Sequence, residues 1–352
     1  AHTLRSVVAC IGVLLWLGIT LAMAAVATVF ADAVAALVPS LAGRLPRAAL
    51  LVAMFVALTI VNVRGATWGS RLSGISTLAK LVPLLAFVAL GLPHVRAANI
   101  TFSALPPLET LGGAGLLLMF AFFGMESALQ VSGEVVDASR TVPRAIALAL
   151  LGVALLYVSV QLVAQGVLGS ALGAPEAAKA PLAAAAERFA GPAGARLILI
   201  GMIVSTFGFM TAMMLSTPRT LFALAADGFL PQFLAAVHSE HRTPHVAIAA
   251  QAIIVVVIAL SGTYVKLALL ADVAILIVYL ACCVGAGRLR RLNASFGGKP
   301  FLMPAGSVVP WLAAVLIVGL LARATAMAWL LTGAVVVVAS IAFLARRRWG
   351  RR

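Results

Sequence analysis

Two side chains in this chain are out of place by ordinary rules. Lys80 sits in "GISTLAKLVPLLAFVALG" and Glu126 in "FAFFGMESALQ", each surrounded by residues suited to lipid. An ionisable group at bilayer depth costs at least about 2.5 kcal/mol, so it faces a cavity or a partner. Lys80 lies about nine residues into its apolar run, roughly 13 Å at 1.5 Å per residue, too deep for easy snorkelling. Its chemistry is either a structural pairing with a carbonyl or carboxylate, or the loading and release of a proton. Glu126 shares one helical face with Gln130 and Glu134, at intervals of four, a polar stripe that points into a bundle rather than to lipid. Asp32 and Asp272 lie nearer the ends of their runs, where water or headgroups are expected to reach them.

These groups need apolar helices to hold them. Of the 352 residues, 63% are hydrophobic and 10% charged, against about 25% charged in soluble domains. Long apolar runs with short basic loops mark an all-α polytopic membrane protein. Ten spans are predicted, at about 8–38, 48–63, 72–92, 111–133, 145–170, 192–224, 245–262, 267–287, 304–322 and 327–345. With residue 1 in the cytoplasm, sixteen of the 25 Lys and Arg fall on that side, eight on the other, and Lys80 within a span. That bias places both ends of the chain in the cytoplasm of a cell with a cytoplasmic membrane. The net charge of +15 is spread over loops, apart from "RRRWGRR", which suits anionic lipid; nucleic-acid binding is not expected.

Several chemistries are excluded. Cys10, Cys282 and Cys283 have no metal or disulfide spacing. His238, His241 and His245 crowd one loop without acidic or thiol ligands at a tight spacing, so no metal is expected. The spans hold no H-E-x-x-H or Ser/His set, which argues against an enzyme. No cofactor is implied. The run "LGGAGLLLMFAFFGMES" holds Gly112, Gly113, Gly115 and Gly124, which lower the cost of breaking a helix where it lines a cavity. Transporters place substrate and ion sites at such breaks. On the predicted cytoplasmic side, "GEVVDASRTVPRA" carries Glu134, Asp137, Arg140 and Arg144, and a second cluster carries Arg219 and Asp227. Both read as salt-bridged loops able to act as a gate.

Together these segments resemble the amino acid–polyamine–organocation superfamily of transporters. "FAFFGMESALQVSGEVVDASRTVPRA" is similar to that family's sixth span and following loop, with Ala138 where the family has proline. "PRTLFALAADGFLPQFLAAVHSEHRTP" resembles the segment after its eighth span, and "IVNVRGATWGSRLSGISTLAKLVPLL" the junction of its fourth and fifth. The resemblance implies a LeuT-like inverted-repeat bundle with about ten of an expected twelve spans. It divides the chain into 1–92, the remainder of the first repeat, 93–287, the second repeat, and 288–352, two further spans and a basic tail. Because the chain begins with Ala and lacks the family's first two spans, it reads as an N-terminally truncated piece of a longer protein.

Carried over by position, Phe120, Phe122, Phe123 and Gly124 are expected to line the substrate site with Glu126. Lys80 matches a lysine that replaces a sodium ion in proton-coupled members, with Ser205 or Thr206 as its neighbour, and Glu126 matches an acidic position tied to amine or proton. The implied activity is secondary transport of amino acids or related amines, polyamines included, by proton-coupled symport or exchange. The competing reading is an inactive or sensor-like membrane protein of the same fold.

Overall fold

In the computed structural model, the described residues are 2–65, 80–101, 106–124, 135–174, 177, 180–292, 301, 305–306, 308–334 and 337. Glu126, Gln130 and Glu134 lie outside them. The described residues form helices and no strand. Each of the ten predicted runs contains one helix. They are α1 (His2–Leu37), α2 (Arg44–Arg64), α3 (Lys80–His94), α4 (Leu108–Met119), α5 (Ala138–Leu168), α6 (Pro181–Ala226), α7 (His245–Ser261), α8 (Tyr264–Arg291), α9 (Val309–Leu321) and α10 (Ala326–Ala334). Among them, five are long and apolar enough to cross a bilayer, and α9 with α10 makes a sixth candidate, bent by 109° at the break between them.

The outward faces are those of a membrane protein. On α5, Leu148, Leu151, Leu155 and Val158 are 71%, 58%, 61% and 66% exposed. An apolar stripe at helical spacing that the fold leaves uncovered is a surface for lipid. This is an integral membrane protein.

Two compact units emerge from the packing. The first joins residues 1–18, 105–156 and 268–338. Its core packs Leu116 of α4 with Val273 and Leu276 of α8, Ile317 and Leu321 of α9, and Ala328 of α10. The start of α1 lies against α8 through Leu14, Ala274 and Val278. Their approach is close enough that a Cβ on Gly18 would stand 2.6 Å from Cγ1 of Ile275.

The second unit joins the described residues of 19–104 and 157–267. Ala33, Phe87, Val163, Ala164, Ala185, Ala186 and Leu199 make its core, drawn from α1, α3, α5 and α6. Small residues dominate here because without water between helices the gain comes from close backbone packing. One buried polar pair crosses this core: Nε2 of Gln251 on α7 donates to Oγ1 of Thr20 on α1 at 3.1 Å, both side chains at 0% exposure. At the end of α1, Arg47 of α2 forms an ion pair with Asp32 and also donates to the Thr28 carbonyl at 3.3 Å. Asp32 is half-buried there, within reach of water as its position in the sequence implies.

Helix ends follow local chemistry. Between the fifth and sixth predicted spans a short helix runs from Pro181, and the chain turns at Gly191 (φ 64°, ψ −165°) before the long span resumes with Pro192. Proline suits such a restart, since its missing N–H has no acceptor in a first turn. At the other end of α6, Phe229 N–H bonds Leu224 C=O at 2.8 Å and Gly228 N–H bonds Ala225 C=O at 3.1 Å. That pair of bonds, with Gly228 at φ 85°, is the Schellman stop, and it gives the Asp-Gly of the sequence motif a structural reason.

Candidate functional site

The helix α4 begins after Pro107, with Glu109 in its first turn, where a carboxylate meets the positive end of the helix dipole. It does not reach the end of its apolar run. At Phe120–Phe122 the α-helix tightens into a 3-10 turn, closed by Phe123 N–H to Phe120 C=O at 3.2 Å. Phe123 is extended (φ −66°, ψ 141°) and Gly124 takes φ 103°. That last conformation is open to glycine and strained for other residues. Among the described residues a Cβ at Gly124 would meet nothing within 4 Å, so the requirement they place there is conformational rather than steric. Phe120 and Phe123 stack, ring centroids 6.3 Å apart and 17° from parallel. Phe120, Phe122, Phe123 and Gly124 are all half-buried. The interruption expected from the glycines therefore falls on the four residues that the family resemblance assigns to substrate. Non-helical backbone at membrane depth is tolerated where protein or a cavity receives it.

Lys80 and Ser205, placed together from the resemblance, line one cavity of about 280 Å³ in the second unit, with Pro83, Gly201 and Thr206. The remaining wall is apolar. Lys80 is exposed and Ser205 half-buried, and among the described residues no hydrogen bond joins them. Thr206 is turned back to its own helix, donating to the Met202 carbonyl at 2.7 Å and the Ile203 carbonyl at 3.1 Å. That leaves Ser205 as the hydroxyl better placed to answer the lysine. The α3–α6 contact under this cavity is tight: a Cβ on Gly201 would lie 2.7 Å from Cγ of Pro83.

Of the residues expected at a cytoplasmic gate, Asp137, Arg140 and Arg144 are exposed, and Glu134 lies outside the described residues. Asp137 takes φ 49° just before α5, and its carbonyl receives Arg140 N–H at 3.0 Å and Thr141 N–H at 2.9 Å. Its carboxylate accepts from Ser139 Oγ at 3.1 Å, so it closes a turn rather than pairing with Arg140 or Arg144. Pro143 lies inside α5, further along than a first-turn position. Arg219 and Asp227 are likewise exposed near the end of α6. The His238 and His241 rings stack at 4.8 Å and His238 meets His245 edge-on at 5.4 Å. His238 Nδ1 accepts backbone N–H groups from Glu240 and His241 at 3.2 Å, an organising role for the loop.

Sequence reasoning missed one residue. Asp272 is not near water: it is 2% exposed, on α8, and its carboxyl group is hydrogen-bonded to the backbone of Phe120 at the interruption. The helix starts at Tyr264, three residues before the predicted span at 267, so Asp272 lies deeper than its place in the apolar run implied. The signal was present, since the rule applied to Lys80 applies equally to an aspartate several residues inside a helix.

The model of a family described as amino acid permease matches residues 4–344, nearly the whole chain. The chain belongs to that family. Among its relatives, the serine/threonine exchanger SteT of Bacillus subtilis (strain 168) is 29% identical over 230 residues, covering 63% of this chain and 51% of the relative. The branched-chain amino acid permease BcaP of the same organism is 28% identical over 196 residues, 54% of this chain and 41% of the relative. The human Asc-type amino acid transporter 1 is 28% identical over 206 residues, 55% of this chain and 38% of the relative. The chain spans about half the length of the serine/threonine exchanger and less of the other two. Family membership makes the LeuT-like helical bundle the fold of this chain and accounts for the interrupted span and the apolar exterior together.

Proposed function

We propose that the protein to which this chain belongs moves amino acids or related amines across the cytoplasmic membrane by alternating access, coupled to protons. The observation that carries the reading is the interruption of the α4 span at Phe120–Gly124 in a member of a permease family. A broken span offers backbone donors and acceptors to a small zwitterion without exposing them to lipid. The aromatic and glycine lining suits a neutral amino acid, in keeping with the substrates that the serine/threonine and branched-chain relatives are named for. Phe120, Phe122, Phe123, Gly124 and Glu126 form the substrate site in this reading.

Lys80 beside Ser205 supports protons over sodium, because a fixed ammonium in that cavity repels a metal cation. Glu134, Asp137, Arg140, Arg144, Arg219 and Asp227 are assigned to the cytoplasmic gate, with both ends of the chain cytoplasmic. Residues 1–92 and 93–287 are assigned to the two repeats.

The test is uptake and counterflow of a panel of radiolabelled amino acids and polyamines in proteoliposomes, at matched and mismatched pH. Saturable exchange, with accumulation against a gradient only when the pH differs across the membrane, is the expected result. Absence of saturable flux for every substrate refutes the transport reading, and sodium-driven accumulation refutes its proton coupling.

A further inference from the structure

Asp272 lies eight residues after the start of α8 at Tyr264, about 12 Å along the axis. Ala271, Val273 and Ala274 around it are fully buried. Val273 belongs to the apolar core that α8 shares with α4, α9 and α10, and Ala274 to the patch shared with α1. One hydrogen bond ties the carboxyl group to the Phe120 backbone, where α4 stops being α-helical. Its Oδ2 is buried without a hydrogen-bond partner among the described residues. A buried polar oxygen left unsatisfied costs about 1–3 kcal/mol, which a structural role does not justify.

Nothing described balances the charge of this group. On the packed elements, α1 carries His2, Arg5, Cys10 and, near its far end, Asp32, which is paired with Arg47; α4 carries Glu109, the α9–α10 break carries Arg323, and α9 and α10 themselves carry no ionisable side chain. Its own helix carries Tyr264 and Lys266 near one end, Tyr279, Cys282 and Cys283 beyond it, and Arg288, Arg290 and Arg291 at the far end. Among the described residues no ion pair links any of these to Asp272. A carboxyl group so placed is neutral with a proton bound and carries its charge only when a cation stands beside it. A proton needs no room, whereas an ammonium group needs a cavity and several acceptors, and a side chain 2% exposed suits the first.

We infer that Asp272 is a proton-carrying residue of this transporter, binding and releasing one proton at Oδ2 beside the interruption of α4. The inference rests on the transport reading above and adds to it a residue outside the set drawn from the family. The step forms and breaks one O–H bond, with the proton exchanged with water, and no electrons move. Ionised, the carboxylate only accepts hydrogen bonds; protonated, it also donates one. The hold on the Phe120 backbone therefore differs between the two states, which links proton binding to the shape of the substrate segment.

The test compares wild type with Asp272→Asn, which keeps size and removes the exchangeable proton. In proteoliposomes the variant is expected to lose at least about tenfold in accumulation driven by a pH gradient, while exchange at equal pH falls less than about threefold. In parallel, wild-type protein is treated with a hydrophobic carbodiimide, which reacts with protonated carboxyl groups, and mapped by peptide mass spectrometry. An adduct on Asp272 that fades as pH rises supports the inference. Gradient-driven accumulation preserved in Asp272→Asn overturns it. Equal loss of exchange and accumulation, with unchanged thermal unfolding, overturns it in favour of a substrate ligand. If the variant does not fold, the labelling decides, and absence of an adduct at every pH overturns the inference. A wild type without exchange of any amino acid refutes the transport reading separately, since the labelling still reports on Asp272.

Discussion

Replacing Gly201 by alanine is expected to loosen the α3–α6 contact that underlies the Lys80 cavity. The added Cβ would sit 2.7 Å from Cγ and 2.9 Å from Cβ of Pro83, about 1 Å inside normal contact. The obstacle is a pyrrolidine ring, which cannot rotate away, so the helices must part. Overpacking of this kind costs about 1–3 kcal/mol. Against it stands a gain of about 1 kcal/mol from replacing glycine in a helix. The net loss of about 1 kcal/mol corresponds to a fall in unfolding midpoint of about 1–2 °C for a chain of this size. Gly152→Ala is the control: it lies in α5 with nothing within 4 Å of the new Cβ, so only the helix gain remains. The assay is thermal unfolding in detergent, followed by tryptophan fluorescence and by size exclusion of the heated samples. The expected order is Gly152→Ala at or above wild type and Gly201→Ala below it, with Gly201→Leu lower still. If Gly201→Ala melts with Gly152→Ala, the close approach of α3 and α6 is refuted.

Three further expectations follow from particular contacts. Gly124→Ala forces a side chain onto φ 103° at a cost of about 1–3 kcal/mol with no steric clash, and should lower substrate exchange while leaving expression intact; unchanged exchange counts against the interruption as the substrate segment. For the buried pair on α1 and α7, Gln251→Leu and Thr20→Val should each destabilise, with the double variant less affected than the sum by about 0.5–1.5 kcal/mol; additive losses in the thermal midpoint would refute the hydrogen bond. Arg47→Gln and Asp32→Asn break a half-exposed ion pair, so each should cost no more than about 1 kcal/mol and the effect should shrink in high salt; a large salt-independent loss would show a role beyond the pair.

Local signals were legible in the sequence because they depend on residues a few positions apart. Apolar runs separated by basic loops placed all ten helices, although boundaries moved by several residues at α1, α6 and α8. The glycines before and at Gly124 announced the interruption, since the φ 103° adopted there is one that few other residues accept. The Asp227-Gly228 pair marked the end of α6 through the backbone geometry of its own last turn.

What the sequence by itself determined, then, is the membrane class, the order of the helices and the place where one of them breaks. Only the tertiary structure decided which side chains meet. It put Lys80 and Ser205 on one cavity across 125 positions of chain, set Arg47 against Asp32, and buried Asp272 against the backbone of Phe120. The physical reason lies in the solvent. In water, a helix shows its inner face by contrast with a polar outer one, but a helix in lipid is apolar on both sides, so periodicity does not reveal which face turns inward. That choice is made by close packing of small residues across the interfaces, and it depends on partners far away in the chain.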